Sequence, residues 1–270
     1  MELRFSPLFS GSSGNAIYVG CDDANILVDA GMSGTRVIRE LETVGVDPRS
    51  LNAILVTHEH SDHIKGIGIL SRKFDLPVYA TEGTWQGMYD KIGPIADKNR
   101  IYFEPEQDFF IGSIDVTPFS TPHDAAQSVG YTFELFGAKL AVATDLGCIK
   151  DSWLKHVIGS DAVILESNYD PDMLKAGPYP YELKKRILSR RGHLSNDDAS
   201  TVAVELARTG TRRIILGHLS KENNFPELAM RSCELYFQQA GLVPNEDAML
   251  HIASRDGNTG MFSITAGIES

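Results

Sequence analysis

The spacing of apolar residues changes character repeatedly along the chain, and each change marks an element. Short apolar runs predict strands over residues 3–9, 16–19 and 25–28, and the polar hexapeptide Ser10-Gly11-Ser12-Ser13-Gly14-Asn15 makes a tight connection between the first two. The opening is therefore antiparallel. From Ser33 the period becomes helical: Val37, Ile38, Leu41 and Val44 share one face, and Gly45 closes it. A buried strand over 53–56 runs straight into Thr57-His58-Glu59-His60-Ser61-Asp62-His63, after which Ile64, Ile67, Leu70 and Phe74 predict a helix and 76–80 a further strand. The middle of the chain carries strands over 109–111, 114–119, 129–136 and 140–143, the last two parted by a turn at Gly137. Beyond it follow a strand over 162–165, helices near 181–189 and 196–208, a strand over 213–216 and a helix over 226–239. Residues 249–252 and 261–264 are expected to form a final strand pair. Ser195 and Asp198 have capping-box spacing at the start of the helix near 196. No repeat, low-complexity tract or linker divides the chain, so one α/β domain over 1–270 is expected.

Composition narrows the setting. At 270 residues and 42% hydrophobic content the chain can bury a large core. The start, Met1-Glu2-Leu3-Arg4-Phe5-Ser6-Pro7, lacks a basic segment leading into an apolar stretch, and nowhere do about 18 apolar residues run together, so a cytoplasmic protein with no membrane partner is expected. Cys21, Cys148 and Cys233 lie far apart, which argues against a disulfide framework or a zinc finger and for small buried residues. A net charge of −11 and a pI near 5.2 exclude broad attraction to nucleic acid or anionic membranes, without excluding a local basic site. One stretch stands against that balance: Lys184-Lys185-Arg186-Ile187-Leu188-Ser189-Arg190-Arg191 holds five cations in eight residues. It is either a solvated helix face or a flank that attracts phosphate.

The chemistry is concentrated at the end of the strand over 53–56. Three imidazoles and a carboxylate in six positions have little use in a core other than metal binding. In an extended loop His58, His60 and Asp62 would point one way and His63 the other, toward a second ion. Imidazole with carboxylate suits Zn, and Mn or Fe when oxygen ligands are added. Two ions about 3.5–4 Å apart can hold a hydroxide and clamp the oxygens of a displacement reaction, so hydrolysis is the leading reading. Such a site needs roughly four ligands per ion. His123, Asp145 and His218 each follow a predicted strand, where a ligand can be placed rigidly at an open cleft.

These motifs, with Asp29 in Leu27-Val28-Asp29-Ala30-Gly31 ahead of them, closely resemble the metallo-β-lactamase superfamily, over nearly the whole chain. The resemblance implies an αββα four-layer sandwich with two divalent metal ions, Zn or Mn. It further implies that His58, His60 and His123 bind one ion, that Asp62, His63 and His218 bind the other, that Asp145 bridges, and that Asp29 supports the loop through hydrogen bonds. Leu165-Glu166-Ser167-Asn168 and Gly192-His193-Leu194-Ser195, which ligand counting leaves unassigned, resemble the ribonuclease Z branch, where a Glu and a His form a dyad beside the metals. Only 72 residues lie between Asp145 and His218, too few for the large cap found in some nuclease relatives. The opening Phe9-Ser10-Gly11-Ser12-Ser13-Gly14-Asn15 together with Gly192-His193-Leu194-Ser195-Asn196 looks most like the YycJ/WalJ group of metal-dependent exonucleases.

The expected function is thus a binuclear metal phosphodiesterase acting on nucleic acid, DNA digested 5′ to 3′ by resemblance, with a bridging hydroxide as nucleophile. Asp62, Glu166 and His193 are the expected catalytic residues, the last two assisting protonation of the leaving oxygen. Ser195 and Asn196 are expected substrate contacts at a helix N-terminus. Phe103, Tyr169, Tyr179 and Tyr181 are candidates for stacking on bases or for ordinary packing. Two other readings stay open: hydrolysis of a small thioester, lactone or cyclic phosphate, and metal binding without turnover.

Overall fold

Ile26, Leu27 and Val28 are wholly buried, as are Ala53–Leu55, and strands apolar on both faces belong inside a parallel sheet covered by helices. A computed structural model describes residues 2–265 of the chain. They divide into two compact units. The first takes the described residues up to Ser120, with Ala125–Ala138 and the described residues from Ser254; the second takes Thr121–Asp124 and Lys139–Ala253.

In the first unit β1 (Glu2–Phe9), β2 (Ala16–Gly20), β3 (Asn25–Val28), β4 (Ala53–Leu55), β5 (Val78–Ala80) and β6 (Arg100–Tyr102) stand in sequence order, and the strand Phe262–Thr265 flanks β1. The first three are antiparallel to one another, and β3 to β6 are parallel. Parallel neighbours require crossovers, supplied by the helices Gly34–Thr43, Ile67–Phe74 and Glu82–Ile92. Val37, Leu41, Ile67, Leu70, Trp85 and Met88 from those helices pack in one core with Leu27, Ile54 and Val78 of the sheet. The same unit holds an antiparallel set, β7 (Phe109–Ile111), β8 (Ile114–Ser120) and β9 (Val129–Leu135).

The second unit is built on four parallel strands, β10 (Ala138–Ala143), β11 (Ala162–Glu166), β12 (Arg213–Gly217) and β13 (Met249–Ile252). Because they run in one direction, their C-terminal ends share an edge. That edge carries Asp145 just after β10, Glu166 at the end of β11 and His218 directly after β12. The crevice outside the carboxyl ends of parallel strands is where α/β sheets place their ligands.

Several expectations are corrected. The helix expected over 64–74 is two pieces, Ser61–Ile64 and Ile67–Phe74, so it begins inside the histidine loop. The helices Glu82–Ile92, Asp151–Val157 and Pro171–Ala176 were not foreseen. In the first of these, Gly83 and Gly87 blurred the apolar face of Trp85, Met88 and Ile92; a Cβ at Gly87 would lie 2.4 Å from Glu59 Cγ, so close approach demands glycine there. The expected final strand pair does not form: β13 pairs with β12, whereas Phe262–Thr265 pairs with β1. Cys21 and Cys233 are buried, but Cys148 is only half-buried. Among the described residues, no helix is long and apolar enough to cross a membrane.

Candidate metal centre

In the first unit, the histidine loop is held from below by one carboxylate. Asp29, just past β3, is 3% exposed and adopts a left-handed backbone with φ 59°. Its Oδ1 accepts from the Thr57 amide at 2.9 Å, and its Oδ2 accepts from the Thr57 hydroxyl and His63 Nδ1, both at 2.8 Å. The Thr57 oxygen in turn lies 3.0 Å from His58 Nδ1. Tying Nδ1 to an oxygen sets the tautomer and presents Nε2 to a metal, as outer-shell partners of ligating histidines do.

His58 Nε2 faces His60 Nδ1 at 3.0 Å, close to the roughly 3.3 Å separation of two nitrogens bound to one tetrahedral ion at about 2.05 Å. His63 Nε2 lies 3.7 Å from Asp62 Oδ2. The extended-loop alternation expected from the sequence does not continue through Asp62 and His63. His60 caps the helical turn Ser61–Ile64, and both side chains leave from that turn.

Gly31 and Asn15 lock the loop in place. The Asn15 amide donates to Asp62 O at 2.8 Å, Ala30 N to His63 O at 2.8 Å, and Gly31 N to Asn15 O at 2.7 Å. A Cβ on Gly31 would stand 1.6 Å from Asp62 O. Gly31→Ala should therefore push the loop off its anchor and cost about 1–3 kcal/mol, read as a lower urea midpoint with unchanged slope.

In the second unit one buried carboxylate again organises the histidines. Glu166 Oε1 accepts from His193 Nδ1 at 2.7 Å and His218 Nδ1 at 2.9 Å; Oε2 accepts from the amides of Leu146 at 2.7 Å and Leu194 at 3.2 Å. Burial pushes the Glu166 carboxyl upward, but the charge and hydrogen bonds of His193 and His218 outweigh it and hold the group well below the usual carboxylate range. His123 gives its Nδ1 proton to Gly192 O at 3.0 Å. Burial holds His123 below the ordinary histidine value, against the pull of Asp145, which favours the neutral imidazole a metal requires. Asp145 Oδ1 lies 3.6 Å from His123 Nε2 and 3.5 Å from His218 Nδ1. Asp145, Glu166, His193 and His218 offer ligand atoms that all lie within 4.8 Å of one another. Asp145 and His218 both have a left-handed backbone, φ 59° and 56°, a strained conformation for such residues that clusters at functional sites.

His58, His60, Asp62 and His63 thus come together in one unit, and His123, Asp145, Glu166, His193 and His218 in the other. Imidazole and carboxylate donors pre-set by outer partners fit divalent metal ions. The side chains of Ser195 and Asn196, expected to contact substrate, are hydrogen-bonded within the fold. Ser195 Oγ caps the helix Asn196–Arg208 by accepting from Asp198 N. Asn196 is 1% exposed, with its amide group bonded to Ser167 and Asn224. Asn15 and Thr57 were the residues missed. Thr57, a polar side chain between an apolar strand and the first histidine, was the legible signal; Asn15 looked like turn chemistry alone.

Residues 24–219 match the model of the beta-lactamase superfamily domain. The exodeoxyribonuclease YycJ of Bacillus anthracis is 42% identical over 93% of this chain and 95% of its own length. The exodeoxyribonuclease WalJ of Streptococcus pneumoniae is 38% identical over 97% of this chain and 98% of its own length. Among solved structures, the metallo-beta-lactamase fold protein YhfI of Bacillus subtilis superposes with a TM-score of 0.74 at 18% identity, over 98% of this chain and all of that one. The α/β architecture, two sheets flanked by helices, is the fold of these neighbours. With the fold, the matched family and the ligand clusters in agreement, the chain belongs to the beta-lactamase superfamily and is a metal-dependent hydrolase.

Proposed function

We propose that the chain is a DNA exonuclease, digesting 5′ to 3′ in the cytoplasm, with its two units acting as one domain over 1–270. The observation that carries the reading is the Glu166–His193 pair inside the second ligand cluster, joined at 2.7 Å. The YycJ and WalJ relatives, similar over nearly their whole length, support nucleic acid as the substrate.

The proposed ligands follow the family pattern: His58, His60 and His123 for one ion, Asp62, His63 and His218 for a second, and Asp145 shared, with Zn or Mn as the metal. When bound, such ions supply a nucleophile from water at neutral pH and neutralise charge on the scissile phosphate. The chain's own residues do the rest. Glu166, ionised at neutral pH, accepts a hydrogen bond from His193 Nδ1–H and so leaves Nε2 as the ring nitrogen free to face substrate. A protonated Nε2 can donate to the departing oxygen, the general-acid role. Asp62 is proposed to orient the attacking water as well as to bind metal. The same Glu166 oxygen holds His218, so ligand and acid keep a set spacing.

The test is protein loaded with Mn or Zn and assayed on end-labelled single- and double-stranded DNA, RNA, a thioester and bis-nitrophenyl phosphate. Release of nucleotides from DNA ends is expected. Cleavage of the thioester alone would sink the nuclease reading.

A further inference from the structure

The basic stretch singled out in the sequence forms one wall of a groove in the second unit. It is an open cleft of about 670 Å³, lined by Lys175, Tyr179, Tyr181, Lys184, Lys185 and Leu188, and its size lies within the range of ligand-binding clefts. None of the described lining residues carries a carboxylate, in a chain whose net charge is −11. Tyr181 is 75% exposed and Leu188 48% exposed, so both present side-chain surface along the groove. Tyr179 leans on the small core of Tyr169, Leu174 and Ile187, so its ring is backed by packed side chains. The cations are placed as well: Lys184 Nζ donates to Lys175 O at 2.7 Å. Lys175 also makes a loose exposed pair with Asp172 at 3.5 Å, which costs little to break.

The groove is tied to the candidate centre by short backbone connections. The helix Tyr181–Ile187 that carries Lys184 and Lys185 receives at Ile187 O the amide of His193 at 3.1 Å. A Cβ at Gly192 would meet Ile187 O at 2.1 Å, so the helix end and the His193 loop are in contact. Gly192 O in turn holds His123, and Arg186 pairs with Asp124 beside it.

We infer that this groove is a docking subsite for single-stranded nucleic acid, lying on the substrate path beyond the scissile phosphate; the inference rests on the nuclease reading. Aromatic rings interleaved with cations fit an occupant that carries flat bases and regularly spaced negative charge together. An acidic peptide supplies the charge without the bases, and duplex DNA keeps its bases stacked away from the rings.

The test uses the full, metal-loaded chain and a fluorescein-labelled phosphorothioate oligothymidylate, whose binding is read by anisotropy without turnover. Tyr181→Ala should weaken binding about ten-fold and leave the salt dependence unchanged, while Tyr181→Phe binds as the parent does. Lys185→Ala should reduce the slope of log affinity against log salt by about 0.7, one phosphate contact to a single strand. Both positions are solvent-exposed, so melting temperatures should not move. Equal binding by the parent, Tyr181→Ala and Lys185→Ala overturns the inference, whatever the enzyme hydrolyses. Poly-glutamate binding as tightly as the oligonucleotide also overturns it. If binding behaves as stated but the parent cleaves no phosphodiester, the nuclease reading fails and with it the place on a substrate path, while the groove stands as a single-strand binding site.

Discussion

Substituting His193 by Ala is expected to lower kcat for DNA cleavage by about 100- to 10,000-fold while the metal content per chain stays the same. The basis is a contrast in exposure. His123 and His218, in the same cluster, have side chains 1% and 2% exposed, whereas that of His193 is 19% exposed. An imidazole that reaches solvent can meet a substrate; one sealed in the interior can meet only a metal or a neighbour. His193 also shares Glu166 Oε1 with His218, so its ring plane is set without help from a ligand bond. Were His193 a metal ligand instead, the substitution would lower metal content, measured by atomic emission on the purified protein. The leaving group offers a second discriminator. Nitrophenolate departs without a proton, so the loss on bis-nitrophenyl phosphate should be much smaller than the loss on DNA. Equal losses on both substrates would remove the general-acid role.

The second large effect is expected at Asp29, which never touches substrate. Asp29→Ala leaves the Thr57 amide, the Thr57 hydroxyl and His63 Nδ1 without the oxygens that accept from them at 2.8–2.9 Å. All of these groups are buried, and breaking a buried, hydrogen-bonded pair costs about 3–5 kcal/mol. The left-handed backbone adds to this, because alanine tolerates φ near 59° poorly. A fall in melting temperature of about 10 °C is expected for a chain of this length, with metal affinity reduced about 10- to 100-fold. Asp29→Asn separates the two causes. Asparagine accepts the same backbone angle, so it should recover much of the stability, yet its one carbonyl oxygen cannot fill both the Oδ1 and Oδ2 places, so either the Thr57 amide or the Thr57 hydroxyl and His63 lose their acceptor. Full recovery of metal affinity by Asp29→Asn would show that the carboxylate charge is not needed to orient His63.

The two substitutions differ in how they could be found. His193 and Glu166 stood out because ligand counting left them over and because each ends or follows an apolar run. Asp29 needed the family pattern to be noticed, and only the coordinates pair it with Thr57. The proposed ligands His58, His60, His123, Asp145 and His218 are legible for one reason: metal chemistry admits few residue types, and each follows a strand. Asn196 is ambiguous for the opposite reason. Asparagine at a helix start serves a phosphate or a neighbouring loop equally well, and only the structure shows its side chain bonded to Ser167 and Asn224.

Sequence alone determined the alternation of strands and helices, the residues able to bind metal and their order, because periodicity and donor chemistry are local properties readable one segment at a time. Tertiary structure decided what depends on distant partners. It paired Phe262–Thr265 with β1 and not with β13, turned Asp62 and His63 into a helical turn, and set a buried carboxylate under each group of histidines. It also decided the fate of the basic stretch. Lys184, Lys185 and Tyr181 line one groove together with Lys175 and Tyr179. Which side chains of one short stretch share a surface depends on how its helices and turns are folded, and the spacing along the chain leaves that open.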